Sequence, residues 1–360
     1  MAHDSRYSRH LLLRGFGEAA QSRLTAARVL VIGAGGLSSP MLMYLAAAGI
    51  GTIGIIDDDL VDESNLQRQV IFETADIGKS KALTAAARLK SMNPLITVVP
   101  YHQRIDSSNA LDLIAGYDLV ADGSDNFPTR YLVNDACLIT GKPLAYGSVF
   151  RFEGQVSVFN YKTQSGEPGP DYRDLFPVPP PPETVMDCSE AGVLGVLPGI
   201  IGTMQALEVI KIISGIGEPL SGKLFHFDAM NMQSQLFGIS KREGAPLITE
   251  LIDYEHFCKG PEAANEAISE IDMESWTELR TSSAASSFIL IDVREPAEYQ
   301  QFNIGGQLIP IGELSDAVQQ FDKDAKLIIH CKTGARATKA IRMMQKMGFT
   351  DLSLLKTDIS

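Results

Sequence analysis

Along the first 150 residues short apolar runs alternate with helical stretches, and that alternation leaves few folds open. "RVLVI" (28–32) stops at glycines, as a buried parallel strand does. "LSSPMLMYLAAAG" (37–49) follows with helical character and ends at Gly49, a residue suited to capping a helix. "GTIGIID" (51–57) is a second buried strand, and "SKALTAAARLKSMN" (80–93) is a helix that stops before Pro94. "ITVVP" (96–100), "DLVADGSD" (118–125) and "PLAYGSV" (143–149) continue the strands, with the helix "RYLVNDACLITG" (130–141) ahead of the last. The expectation is an α/β fold, a doubly wound and mostly parallel Rossmann-like sheet. "FEGQVSVFNY" (152–161) then alternates apolar and polar residues, which predicts an antiparallel extension. "GKLFHFDAMNMQSQLFGI" (222–239) adds one or two closing strands. A smaller α/β unit is expected at the end, with "FILIDV" (288–293) and "KLIIHC" (326–331) as strands and "ARATKAIRMMQKMG" (335–348) as a helix.

The expected division is a first domain over 1–257, a linker of small polar residues over 258–270, and a second domain over 271–360. The first domain includes a proline-rich crossover loop at 162–190, expected to be mobile. A chain of 360 residues can bury two cores, and 45% hydrophobic with 21% charged residues reads as globular. A net charge of −13 argues against a nucleic-acid partner, which calls for a basic face. The four cysteines, Cys137, Cys188, Cys258 and Cys331, form no CxxC pair. Cys137 reads as core and Cys258 as incidental. "MAHDSRYSRH" lacks the apolar core of a signal peptide, so a cytoplasmic protein with reduced thiols is expected. "GVLGVLPGIIGTMQALEVIKIISG" (192–215) is long enough to span a bilayer. It carries Pro198, Gln205, Glu208 and Lys211, so it is expected to be a buried core helix, with no membrane partner.

"GAGGLS" (33–38) lies between a strand and a helix. There Gly33, Gly35 and Gly36 let the backbone approach a phosphate whose charge the helix N-terminus stabilises. Asp57 ends the next strand and is placed for ribose hydroxyls. Up to this point an NAD-dependent enzyme fits equally well. The polar stretch "DDDLVDESNLQRQ" (57–69) supplies Asn65, Arg68 and Gln69; Lys81 starts a helix, and "DGSDN" (122–126) supplies Asp125 and Asn126. Cations and a carboxylate around one nucleotide suit phosphate chemistry: the cations neutralise charge on an α-phosphate and a leaving pyrophosphate. An aspartate such as Asp125 can hold Mg2+ against phosphate oxygens. Hydride transfer needs none of these. Asp59 and Asp122 read as local structure. Ser38 stands where a third glycine is usual, which predicts slightly looser helix packing.

"RYSRHLLLRGFG" (6–17), "GAGGLSSP" (33–40), "SNLQRQ" (64–69), "DGSDN" and "CSEAGVLG" (188–195) together resemble the MoeB/ThiF family of adenylating enzymes, relatives of ubiquitin-activating enzymes, over about residues 5–255. The resemblance implies ATP-dependent adenylation of the C-terminal glycine of a ubiquitin-like sulfur-carrier protein ending in Gly-Gly. It implies nucleotide contacts from Gly35, Asp57, Asn65, Arg68, Lys81 and Asp125. It also implies a homodimer in which Arg14 reaches the partner subunit's ATP, and it places Cys188 in a crossover loop near the adenylate. Members often hold zinc between two CxxC pairs. Here Asp171 and Asp174 of "DYRDLF" occupy the first pair's place and "KREGAPLITE" (241–250) has no cysteine, so zinc is expected to be absent. The two aspartates read as exposed loop residues.

In "HCKTGAR" (330–336) a strand delivers Cys331 to a short loop and Arg336 opens a helix. Inward-pointing backbone N–H groups and the helix dipole stabilise a thiolate or persulfide there. "LIDVREPAEYQQFNIGG" (290–306) and "HCKTGARATKAIRMMQKMGF" (330–349) resemble a rhodanese domain, which implies that Cys331 carries a transferable sulfur. The six-residue loop "CKTGAR" is one residue shorter than related phosphatase loops, which favours sulfur transfer. The chain stops at "LLKTDIS" (354–360), where that family continues into a glycine turn and a last helix. The domain is therefore expected to be trimmed, or the sequence incomplete. The two resemblances make one pathway: adenylation of the carrier, then sulfur transfer from a Cys331 persulfide loaded by thiosulfate or a donor protein. The alternatives are adenylation alone, with the second domain docking a donor, and a non-catalytic sulfur-carrier scaffold. The carrier's pathway stays open among molybdopterin, thiamine, thiolated tRNA and secondary metabolism.

Overall fold

The computed structural model describes residues 5–162, 166, 168–180, 192–259, 268–281 and 288–357. It divides into two compact units, the second taking up the chain at Pro261. In the first unit eight strands form one sheet: β1 (Arg28–Ile32), β2 (Thr52–Ile56), β3 (Thr97–Tyr101), β4 (Leu119–Asp122), β5 (Leu144–Phe150), β6 (Glu153–Phe159), β7 (Lys223–Asp228) and β8 (Gln233–Gly238). Their order is β3-β2-β1-β4-β5-β6-β7-β8. Pairing is parallel from β3 to β5 and antiparallel from β5 to β8, as the alternation predicts. The continuous apolar runs are explained by burial on both faces: Val29 to Ile32 and Leu119 to Val120 are all sealed from solvent. Helices α1 (Gly17–Ala26), α2 (Ser38–Ala48) and α3 (Lys81–Met92) contribute to one core, and α4 (Phe127–Thr140) to the other. Gly49 ends α2 at φ 84°, a left-handed conformation that glycine reaches without strain.

The apolar helix α5 (Val196–Ser214) is long and apolar enough to cross a membrane by length and composition. It packs against α2, β5 and β6. The polar residues that argued for a core helix have internal partners. Gln205 donates to the carbonyls of Asp122 and Ala145, and Glu208 accepts from Lys211 and the Leu220 amide.

Several local expectations are corrected. Ser38 does not loosen the packing: it is fully buried, and a Cβ on Gly123 would lie 2.0 Å from its Oγ. A hydroxymethyl fits because the facing residue has no side chain. Asp171 and Asp174 are not exposed loop residues. Asp171 caps a short helix, Tyr172–Leu175, within the proline-rich stretch. The Asp174 side chain is 2% exposed and accepts from the amides of Asp171 and Arg242. Beside them Arg173 makes a two-pronged pair with Asp135 at 2.8 and 2.7 Å, which Tyr254 joins through its hydroxyl. Lys162 also bridges to Pro168, so part of the stretch over 162–190 is ordered; residues 181–190, with Cys188, lie outside the described residues. The linker narrows too, since a helix reaches Lys259 and a strand begins at Ser269.

The second unit holds a five-stranded sheet: β9 (Ser269–Ile271), β10 (Phe288–Asp292), β11 (Gln307–Leu308), β12 (Lys326–His330) and β13 (Leu352–Leu355). The order is β11-β10-β12-β13-β9, with every pair parallel. Helix α6 (Ala335–Lys346) buries Ala337, Ala340, Ile341 and Met344, the spacing of one helix face.

Candidate functional site

A cavity of about 360 Å³ opens at the carboxyl ends of β1, β2 and β4, where the strand order reverses. Its floor is the turn after β1. Gly33 sits at φ 79°, and a Cβ there would lie 3.3 Å from the Gly123 carbonyl oxygen. A Cβ on Gly36 would lie 3.1 Å from Pro198 and 3.4 Å from the Arg68 stem. Glycine is what lets these backbones close up. Asp57 braces the turn: its Oδ2 accepts the Ala34 amide at 2.7 Å and its Oδ1 the Asp59 amide at 2.9 Å. Burial pushes its carboxyl above the usual range, and the two backbone N–H groups oppose that shift.

Gly33, Gly35, Gly36, Asp57, Arg68, Lys81, Asp125 and Asn126 all line this cavity. Arg68 anchors one guanidinium nitrogen on the Ser64 carbonyl at 2.9 Å. The Lys81 ammonium lies 2.7 Å from Asp59, with 7% of the lysine side chain exposed. Asn126 uses its side-chain oxygen to cap α4 through the Thr129 amide. Asp125 is exposed, and among the described residues no side chain binds its carboxylate. A single carboxylate is thus available there as an oxygen donor. Beneath it Asp122 is sealed in, accepting from the Ser124 amide, while buried Arg130 holds the Ser124 carbonyl and the Ser148 hydroxyl. Asp122 is local structure, as expected: it shapes the loop that presents Asp125. The aspartates at the expected zinc position fit zinc poorly: backbone amides engage Asp171 Oδ1 and both Asp174 oxygens, and carboxylates alone lack the soft ligands that zinc prefers.

Asn65 is not among the residues that line the cavity, and Arg14, expected at the partner subunit's ATP, does not bear on this chain's own cavity. Asn65 turns its side-chain oxygen back onto the Asp62 amide, a capping interaction its short polar side chain favours. Arg14 is exposed on the N-terminal segment and does not line its own chain's cavity. Other residues also line the cavity, among them Gln69, which the sequence singled out without giving it a contact. Gln69 is 4% exposed with its side-chain oxygen unpartnered. Gln103, Arg104 and Ile105 reach the cavity because β3 neighbours β2, which no local pattern reveals.

In the second unit β12 ends at His330 and Cys331 sits at the foot of the loop, 1% exposed. Gly334, at φ 85°, starts α6, whose N-terminus faces back along the loop. Arg336 is paired with Glu298 through both terminal nitrogens, each at 2.7 Å, and this holds the Glu298 carboxyl down to about 2. Behind the loop, Arg294 grips Asp292 at 2.7 Å, and both are buried. The other described thiols suit no nucleophilic role. Cys137 is fully buried, which pushes its thiol far up, and burial raises Cys258 to about 11.

Comparison with known proteins adds to this geometry. Residues 7–246 match the ThiF family and residues 275–360 the rhodanese-like domain. The chain is 46% identical over 356 residues to the "Probable adenylyltransferase/sulfurtransferase MoeZ" of Mycobacterium tuberculosis, covering 96% of this chain and 89% of that one. It is 49% identical over 259 residues to the "Sulfur carrier protein adenylyltransferase" of Thermus thermophilus, covering 70% and 96%. It is 40% identical over 383 residues to the "Adenylyltransferase and sulfurtransferase MOCS3" of Danio rerio, covering 97% and 82%. Among solved structures, E. coli MccB with ATP superposes with a TM-score of 0.57 at 22% identity, over 67% of this chain and 74% of that one, a likeness of fold.

Proposed function

The chain belongs to the ThiF family, with a rhodanese-like domain behind the family domain, and on that premise we propose that it adenylates a ubiquitin-like sulfur carrier and then gives it sulfur. The observation that carries the reading is the convergence of Arg68, Lys81 and Asp125 on the glycine turn, in a chain that also presents Cys331 at a loop-and-helix N-terminus. Relatives named for both activities across nearly the whole chain support it.

The carrier's C-terminal glycine carboxylate attacks the α-phosphorus of ATP, and pyrophosphate leaves. Asp57 orients the ribose, and the glycine turn admits the phosphates to backbone N–H groups. Arg68 and Lys81 stabilise charge on the α-phosphate and the leaving group, with Arg14 of a partner subunit completing the set in a homodimer. Asp125 would hold Mg2+, which would supply Lewis acidity at the phosphates.

In the second stage the terminal sulfur of a Cys331 persulfide attacks the acyl carbon and AMP leaves, giving an acyl disulfide. A second thiolate then attacks the Cys331 sulfur. The S–S bond breaks, the carrier departs as a thiocarboxylate, and a disulfide remains for an external reductant. We assign that thiol to Cys188. The protein works in the cytoplasm, where such thiols are kept reduced; Cys137, Cys258 and Cys331 are free.

The test is the mass of a Gly-Gly-ending carrier incubated with the protein, ATP, Mg2+ and thiosulfate or a persulfide donor. One oxygen replaced by sulfur is expected. A carrier that never advances beyond the adenylate with any donor would overturn the second stage. A Cys188→Ala variant making thiocarboxylate at the wild-type rate without added reductant would remove Cys188 from it.

A further inference from the structure

Glu298 lies outside the thiol loop, on the short helix Pro296–Gln301 that follows β10, yet it engages the residue that ends the loop. Both terminal nitrogens of Arg336 face its two oxygens at 2.7 Å, the strong two-pronged geometry of a guanidinium on a carboxylate. The pair is part open to solvent, with side chains 26% and 35% exposed, so a small solute can reach it. Arg336 is also within electrostatic reach of Cys331 and of a second carboxylate, Glu295. The cation beside the nucleophile is therefore already compensated.

We propose that Glu298 is a positioning residue that selects the sulfur donor, holding Arg336 so that small doubly charged anions find no open cation beside Cys331. The proposal rests on the sulfur-transfer reading. Loading Cys331 requires its thiolate to attack the outer sulfur of a donor. The donor's S–S bond breaks, its electron pair leaves with sulfite or a donor thiolate, and the outer sulfur stays as the persulfide. Thiosulfate carries two negative charges, and its sulfonate seeks the guanidinium that Glu298 already occupies. A persulfide on a thiol or a protein offers its outer sulfur without needing that seat. Glu298 thus disfavours the first class and spares the second.

The experiment measures sulfur transfer by the full chain to cyanide, with thiosulfate and with glutathione persulfide as donors. Glu298→Gln should lower the thiosulfate KM about tenfold by removing one nearby negative charge. It should leave kcat/KM for the persulfide within about twofold. Glu298→Asp should return the wild-type pattern, and Glu298→Ala serves if the glutamine variant misfolds. An unchanged thiosulfate KM, or equal losses with both donors, would overturn the proposal. Wild-type protein inactive with both donors would instead refute the sulfur-transfer reading on which it stands.

Discussion

Lys81 tests whether the cavity cations act on phosphate or merely hold the fold. Its ammonium sits 2.7 Å from Asp59, whose side chain is 67% exposed while that of Lys81 is 7% exposed. Lys81→Ala leaves Asp59 hydrated, so losing the pair costs stability at most about 1 kcal/mol. Each buried methylene of the lost stem adds about 0.8 kcal/mol. The chemical cost is larger and separable. Removing one preorganised cation from a site of developing charge slows reaction about 10²–10³-fold, on the order of 3–4 kcal/mol in the barrier. The assay is carrier-dependent ATP–pyrophosphate exchange, with a thermal melt alongside. Asp59→Asn is the control, because it frees Lys81 without removing its charge and should keep the exchange rate within about threefold. If Asp59→Asn lost as much exchange as Lys81→Ala, the lysine would be acting through its tie to Asp59. The electrostatic argument would then fail.

Gly202→Ala places a Cβ 2.0 Å from the backbone oxygen of Leu37, at the glycine turn. It should destabilise the protein by about 1–3 kcal/mol, less the small helix-propensity gain of alanine, read as a lower urea midpoint; an unchanged midpoint would contradict the close packing. Glu298 has its carboxyl held from 4.5 down to about 2 by Arg336. Its contribution to stability is therefore fully present above pH 4.5 and lost as pH falls toward 2. The urea midpoint of Glu298→Gln should trail the wild type at pH 6 and converge on it below pH 4.5; a gap that did not change with pH would rule this out. Purified protein should carry less than about 0.1 zinc per chain, and about one per chain by elemental analysis would defeat the reading of Asp171 and Asp174.

How much of this was legible depended on distance along the chain. The strands up to Phe150 and helices α2, α3 and α4 follow from local apolar periodicity, because a buried parallel strand and an amphipathic helix impose different repeats on neighbouring residues; the helix Gly17–Ala26 was not read from the sequence. The glycine turn and Asp57 follow from their place between a strand and a helix. Asn65 is called from its motif, and in the structure its side-chain oxygen accepts the Asp62 amide within the turn. Asp174 was taken for a surface residue because its partner Arg242 lies 68 residues away. The Arg336–Glu298 pair spans 38 residues and leaves no local trace in either segment.

The amino-acid order by itself determined the α/β alternation, the phosphate-type turn at Gly33 to Gly36, and the thiol at a strand end before a helix. These are backbone preferences and residue chemistries confined to a few neighbours. Tertiary structure alone decided which side chains share a space. Strand order brought Gln103, Arg104 and Ile105 to the rim of a cavity that begins at β1, and it buried Asp122 under Asp125. In the second unit, the parallel pairing of β10 with β12 carried the segment after β10, and with it Glu298, beside the end of the thiol loop. Contacts across a sheet are set by pairing that the chain makes only when it has folded, so their energies belong to the fold and not to any one stretch of sequence.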